Sequence, residues 1–157
     1  MKNEKYPYKK ALERMSRLCS RQEKSSGEVR QKLRSWGVPE DDAEKILQAL
    51  EEQQFVDDGR YARAYARDRH RFRKWGRIKI RMMLRQKQIP EDLIGRALED
   101  LDEREYRETL KAELLAKYKS VKAGNRYDLM ARLQRFGVGK GYEKDLVNKT
   151  IQEILDD

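Results

Sequence analysis

The sequence has few of the residues and patterns that characterise membrane, secreted or disulfide-bonded proteins. In 157 residues it has one cysteine, one histidine and three prolines. A single cysteine excludes an internal disulfide and is typical of a reducing compartment. No apolar run is longer than three residues, so the sequence contains no candidate membrane span. The first ten residues have no apolar segment, and we therefore expect no secretory signal and a cytoplasmic protein.

Patterns that indicate catalysis or metal binding are also missing. With only His70 and Cys19, the sequence has no Ser/His/Asp or Cys/His set, no metal-ligand spacing and no phosphate-binding glycine loop. Asp57 and Asp58 could be read as paired catalytic carboxylates or metal ligands. Because no third acidic or histidine partner is placed near them, we interpret them as a helix cap. Cys19 lies on an apolar helix face and is expected to pack. We therefore expect no enzymatic activity, no metal and no cofactor.

The composition predicts a helical protein with a thin core. Charged residues make up 41% of the chain and hydrophobic residues 38%, with a mean hydropathy of −1.07. Leu, Ile, Val and Met nevertheless recur at helical spacing along most of the chain, which is not typical of a disordered protein. No segment alternates with a period of two for long enough to predict a strand. The sequence therefore predicts an all-α fold.

A repeat defines the organisation of the chain. LRSWGVPEDDAEKILQAL (33–50) resembles LRQKQIPEDLIGRALEDL (84–101) and LQRFGVGKGYEKDLVNKT (133–150). The matched positions are Leu33, Leu84 and Leu133; Val38, Ile89 and Val138; and Leu47, Leu98 and Val147. Longer helices, predicted at 6–22, 57–74 and 103–121, precede each pair. The repeat predicts an array of three tandem three-helix modules resembling helix-turn-helix domains. We expect these modules to span residues 1–54, 55–101 and 102–157.

The third helices of the first two modules do not suit standard helix-turn-helix binding to DNA. In such domains the third helix enters the major groove and is basic or polar. Residues 40–53 and 90–101 each have one basic residue among several acidic ones. Like charge would repel phosphate, so this docking mode is not supported.

The positive charge of the chain is concentrated in its middle. Residues 57–88 have 12 Lys and Arg against 3 Asp and Glu, while residues 1–56 have 12 against 10 and residues 89–157 have 13 against 15. The formal charge of +9 therefore comes from about one fifth of the chain. A segment of this kind favours association with a polyanion or an acidic surface.

Helical spacing arranges these cations in two sets of candidate contact residues. The first, on the helix that follows Asp58, comprises Arg63, Arg67, Arg71 and Lys74. The second, on the next helix, comprises Arg77, Lys79, Arg81 and Arg85. A charged face is often merely solvated, but solvated faces usually include acidic residues at i,i+4, and the first set has only Asp68 near it. We expect contact with a partner, most strongly for the first set.

Aromatic residues on the same helix have two possible roles. Tyr61, Tyr65 and Phe72 share one helix face, which predicts that they are buried in the core; stacking on nucleic-acid bases is the alternative. We expect Arg60 to pair locally with Asp57 and Asp58 at the helix entry.

The run Phe55-Val56-Asp57-Asp58-Gly59-Arg60-Tyr61-Ala62 resembles the F-x-D-D-x-R-[FY]-A signature of the RecX family, regulators of the bacterial RecA recombinase. Parts of all three modules also resemble the family, over about residues 10–155. The matching residues are Ser26, Gly27, Glu28, Val29, Lys32, Leu33 and Gly37; Lys74, Gly76, Ile80, Leu84, Lys87 and Ile89; and Arg132, Leu133, Arg135, Phe136, Gly137 and Val138. Gln88 departs from the family pattern, which usually has glycine there.

The resemblance implies an elongated, crescent-like helical array that binds in the groove of the RecA–DNA filament. It further implies inhibition of ATP hydrolysis, strand exchange and co-protease activity, and thus a role in recombination, DNA repair and the SOS response. The expected partners are the RecA filament and single- or double-stranded DNA. We expect the protein to be a monomer that does not associate with a membrane. The signature residues Phe55, Asp57, Asp58, Arg60, Tyr61 and Ala62 are expected to be structural. Two other hypotheses stay open: direct DNA binding independent of RecA, and a helical scaffold for another acidic protein.

Overall fold

A computed structural model describes residues 7–156 and shows that they form nine α-helices and no strand. The helices are α1 (Tyr8–Arg21), α2 (Ser26–Ser35), α3 (Glu40–Glu52), α4 (Asp58–Arg73), α5 (Arg77–Gln86), α6 (Glu91–Glu99), α7 (Glu103–Ser120), α8 (Arg126–Gly139) and α9 (Lys144–Asp156). The all-α prediction is confirmed. Residues 1–6 of the expected first module and residue 157 of the third lie outside the described range. None of the described helices is both long and apolar enough to cross a bilayer.

The helices pack in three successive groups, which confirms the tandem three-helix architecture. The main helix contacts join α1 and α2 to α3, α4 to α5 and α6, and α7 to α8 and α9. Each group has its own cluster of buried apolar side chains. The chain exposes 10477 Å² of surface, against roughly 8,300 Å² for a compact protein of 18.8 kDa. The excess agrees with an elongated array. The expected module boundaries stay a prediction.

Side-chain caps mark the starts of four of the described helices. Ser25 forms a capping box with Glu28: its hydroxyl accepts from the Glu28 N–H, and the Glu28 carboxylate accepts from the Ser25 N–H. Asp57, Asp102 and Asn125 cap α4, α7 and α8 without a reciprocal bond, each side chain accepting from the backbone N–H three residues later.

The second and third helices of each module are joined by a turn that needs a left-handed residue. This residue is Gly37 (φ +79°) in the first module, Gln88 (φ +63°) in the second and Gly141 (φ +96°) in the third. Gln88 thus adopts the glycine conformation although it has a side chain, at a cost of roughly 1 kcal/mol. The departure from the family pattern at Gln88 therefore leaves the turn itself intact.

The predicted register of the third repeat is wrong by one helical turn. The N–H that follows the left-handed residue is donated to Leu33 O by Val38, to Leu84 O by Ile89, and to Gly137 O by Tyr142. Tyr142, which is buried, therefore corresponds to Val38 and Ile89, whereas Val138 is 43% exposed. Gly137 stands where Leu33 and Leu84 stand, and a Cβ there would lie 2.8 Å from a methyl carbon of Val147. The residue before the turn is therefore large in the first two modules, Leu33 and Leu84, and small in the third, Gly137. In the third module the large residue, Tyr142, comes after the turn.

One residue expected in the core lies at the surface. Tyr61 and Tyr65 are buried in the middle cluster, as predicted, but Phe72 is 74% exposed. Phe72 lies in the last turn of α4, one residue before the helix ends at Arg73, and it is not covered there although it shares the helix face of Tyr61 and Tyr65.

Candidate nucleic-acid and protein interface

The first set of predicted contact residues forms one exposed surface on α4. Arg63, Arg67 and Arg71 follow one another at intervals of one helical turn, and all three are exposed. Lys74, also exposed, ends the helix in a left-handed conformation (φ +59°), and its ammonium group donates to Arg71 O at 2.7 Å. We call these four residues the basic stripe.

The basic stripe is only weakly neutralised by neighbouring carboxylates. Among the described residues its one ion pair joins Arg67 to Asp68, at 3.8 Å. Three acidic residues of the α6–α7 turn line a cleft with Arg63, Arg67 and Arg71, without reaching ion-pair distance: Asp100, Asp102 and Glu105. The arginines are therefore available to an anionic partner, with an acidic border on one side.

Arg77, one of the predicted contact residues, lies at the contact between the second and third modules. Its side chain is only 22% exposed, and it forms ion pairs with Glu103 and Glu143 of the third module. Its guanidinium also lies 3.8 Å from the centre of the Tyr106 ring. The first turn of α5 faces α7, so Arg77 joins the second and third modules.

The rest of the second set lies at the surface but has partners. Arg81 and Arg85 both bind the carboxylate of Glu91, and the Arg85 Nε–Oε2 distance is 2.9 Å. Hydrogen bonds from Arg85 and Arg81 hold the pKa of Glu91 below its ordinary value. Lys79 lies 4.7 Å from the ring centre of Trp75. These cations are thus more compensated than the basic stripe.

The signature residues connect the first two modules. Asp58 accepts hydrogen bonds from the Ser26 N–H at 2.8 Å and the Ser26 hydroxyl at 2.6 Å. Arg60 binds Glu23 at 2.6 Å, so the expected local pairs with Asp57 and Asp58 are wrong: its guanidinium points across the junction instead. The other signature residues pack: Phe55 against the first core, and Tyr61 and Ala62 within the second.

The junction between the second and third modules is buried and aromatic. The His70 ring stacks on Tyr106 at 5.1 Å, and Tyr106 packs on Tyr142 at 5.0 Å. The Tyr106 hydroxyl donates to Glu143 and accepts from the Arg77 N–H. Burial, followed by the hydrogen bond to Glu143, raises the pKa of Tyr106 far above its ordinary value. His70 is therefore a packing residue here.

Two groups of residues near the surface were not among the predicted contact residues. Trp75 is contacted by Arg69 and Arg73 as well as Lys79, with distances of 5.8 and 5.6 Å to the two guanidinium carbons. A groove in the third module is lined by Lys117, Lys122, Arg132 and Arg135. Residues 117–135 have six basic residues and one acidic residue. This excess was not visible when charges were counted over residues 89–157 as one segment.

The described residues contain no group of three His, Cys, Asp or Glu that could hold a metal ion. Cys19 is buried in the first core, and burial raises the pKa of its thiol. The shift disfavours the reactive thiolate, in agreement with a packing role.

Comparisons with known proteins agree with this architecture. Residues 11–50 match the family model for the first three-helix domain of RecX, and residues 57–98 match that for the second. The regulatory protein RecX of Prosthecochloris aestuarii is 31% identical over 147 residues, covering 94% of this chain and 95% of that protein. The regulatory protein RecX of Clostridium perfringens strain 13 is also 31% identical, over 83% of this chain, but the match spans only 62% of that longer protein.

Solved structures show the same fold. A crystal structure of regulatory protein RecX superposes with a TM-score of 0.83 at 28% identity, covering 96% of this chain and 72% of that one. The crystal structure of RecX from Lactobacillus salivarius gives the same TM-score at 23% identity, covering 96% of this chain and 97% of that one. Since a relative of matching length is 31% identical and the domain order agrees, this chain belongs to the RecX family of regulatory proteins.

Proposed function

We propose that this chain is an inhibitor of the RecA recombinase that binds the RecA–DNA filament through the basic stripe. Binding lowers the filament's ATP hydrolysis, strand exchange and co-protease activity. The protein acts in the cytoplasm as a monomer, without a cofactor, in recombination, DNA repair and the SOS response. Its modules span residues 1–54, 55–101 and 102–157.

Family membership supports the regulatory role, and the electrostatics of α4 support the contact surface. The observation that carries the proposal is that Arg63 and Arg71 have no carboxylate within ion-pair distance among residues 7–156, and Arg67 only Asp68. A protein filament on DNA offers phosphate groups and carboxylates that would satisfy these cations. Lys79 extends the basic stripe, while Arg81 and Arg85 would have to exchange Glu91 for the partner.

The test is the DNA-dependent ATPase of RecA on single-stranded DNA. We expect inhibition at amounts well below one molecule per RecA subunit, and loss of inhibition when Arg63, Arg67 and Arg71 are all changed to Glu. A matched variant, with Lys10, Lys45 and Lys149 changed to Glu, alters net charge equally on exposed positions outside the basic stripe. It should inhibit like the unaltered protein. Unchanged inhibition by the stripe variant would refute the site, and no inhibition by the unaltered protein would refute the function.

The alternative is a DNA-binding protein that acts without RecA, and the same basic stripe favours it. Its affinity for bare DNA would fall steeply with salt, by roughly 0.7 to 0.9 logarithmic units per logarithmic unit of salt for each phosphate contacted. Strong DNA binding with no effect on RecA would select this alternative. If the chain were a scaffold for another acidic protein, we would expect neither inhibition of RecA nor binding to bare DNA.

A further inference from the structure

Phe72 is a large aromatic side chain that the fold leaves open at the end of the basic helix. It is 74% exposed, and its ring contacts no other aromatic ring and no cation among residues 7–156. Nearby Trp75 is different, because Arg69, Arg73 and Lys79 already lie over its ring. Phe72 therefore presents a free π face.

The charges around Phe72 indicate what that face would bind. Arg71, Arg73 and Lys74 lie within two residues of it, and all three are exposed. The acidic residue closest to it on α4 is Asp68, one turn earlier, which is paired with Arg67. An apolar ring with cations on both sides fits a ligand that combines flat π faces with closely spaced negative charges.

We propose that Phe72 stacks on a base of single-stranded nucleic acid, while the flanking cations bind its phosphates. A single strand offers a free base face and a phosphate at every nucleotide, whereas the bases of a duplex are stacked on one another. An acidic protein surface would supply negative charge, but its apolar contacts would not need an aromatic ring. The inference rests on the proposed function only in taking the basic face of α4 as the contact surface.

The test uses the full-length protein, a single-stranded oligonucleotide and an abasic strand of the same length, without RecA. We expect Phe72→Ala and Phe72→Leu to lower affinity for the oligonucleotide roughly 10- to 100-fold, with the same salt slope, and Phe72→Tyr to retain it. On the abasic strand the unaltered protein and Phe72→Ala should bind equally. Because Phe72 is exposed, all three variants should fold, which their melting temperatures will check.

Three results would overturn this inference: full affinity in Phe72→Leu, an equal loss on the abasic strand, or no measurable binding of the oligonucleotide by the unaltered protein. The first two indicate an apolar rather than a base contact. If Phe72→Ala weakened RecA inhibition and left oligonucleotide binding unchanged, Phe72 would contact protein. Inhibition of the RecA ATPase is measured separately, so failure of base stacking leaves the proposed function standing.

Discussion

Substituting Gly76 by alanine should separate the second and third modules. Gly76 has φ −84°, which any residue can adopt, so its backbone conformation is not the constraint. A Cβ at this position would instead overlap the main chain of Gly141, in the turn before α9. Since backbone atoms cannot rotate away as a side chain can, the two loops would have to move apart.

Three hydrogen bonds between these loops would break, and they set the size of the effect. Gly76 N–H donates to Lys140 O at 2.8 Å, Ile78 N–H to Gly141 O at 2.9 Å, and the Tyr142 hydroxyl to Lys74 O at 2.9 Å. At about 1 kcal/mol each, three hydrogen bonds contribute about 3 kcal/mol. Replacing glycine lowers the entropy of the unfolded chain and offsets about 0.5 kcal/mol of this. We expect Gly76→Ala to lower the free energy of unfolding by about 2.5 kcal/mol.

Urea denaturation, followed by circular dichroism and by tryptophan fluorescence, measures this change. Gly95→Ala is the matched control: a Cβ at Gly95 meets nothing within 4 Å, and its position inside α6 favours alanine. The control should be more stable by about 0.5–1 kcal/mol. A stability of Gly76→Ala within about 0.5 kcal/mol of the unaltered protein would refute the tight contact between the loops.

Two further predictions concern the turns and the acid stability of the chain. Gln88→Gly should raise the free energy of unfolding by about 1 kcal/mol and Gly37→Gln should lower it by a similar amount, both measured by urea denaturation, because both positions are left-handed; equal stability of the two variants would contradict this. Burial alone would raise the pKa of Glu143, but hydrogen bonds from Tyr106 and Arg77 hold it below its ordinary value of 4.5. The unfolded chain therefore takes up this proton first as pH falls, so the stability contributed by Glu143 is present above pH 4.5 and is lost below it. Melting temperatures should fall less steeply below that pH in Glu143→Gln, and an unchanged slope would contradict the coupling.

The sequence predicted the features of the fold that depend on near neighbours in the chain. The helical spacing of Leu, Ile, Val and Met indicated the all-α fold, and the shared helix face of Tyr61 and Tyr65 indicated that both lie in the core. The alignment of the third repeat was wrong because its similarity to the first, centred on Phe136 and Gly137, is one of residue type and not of position in the fold. The methyl groups of Val147 occupy the space beside Gly137, and Tyr142 supplies the large buried side chain after the turn. A residue-by-residue alignment does not reveal this rearrangement.

The same distinction divides the candidate site. The basic stripe lies on one helix, so its alignment followed from helix geometry alone. The partners of Arg77 are 26 and 66 residues away in the sequence, and no local pattern marks them. The exposure of Phe72 is likewise not given by helical spacing, which places this residue on the same face as the buried Tyr61 and Tyr65.

The two junctions differ in chemistry, and this affects how the basic stripe is presented. The first junction is polar: Glu23–Arg60 and Glu28–Lys87 are ion pairs whose side chains are 29–37% exposed, so added salt weakens them. The second has the ion pairs of Arg77 with Glu103 and Glu143, but it is also closed by backbone hydrogen bonds and stacked rings, which salt does not screen. Salt that weakens phosphate contacts should therefore disturb the orientation of α4 relative to the third module less than its orientation relative to the first. Salt should loosen the contact between the first and second modules. The salt dependence of binding therefore combines weaker phosphate contacts with weaker ion pairs at the first junction.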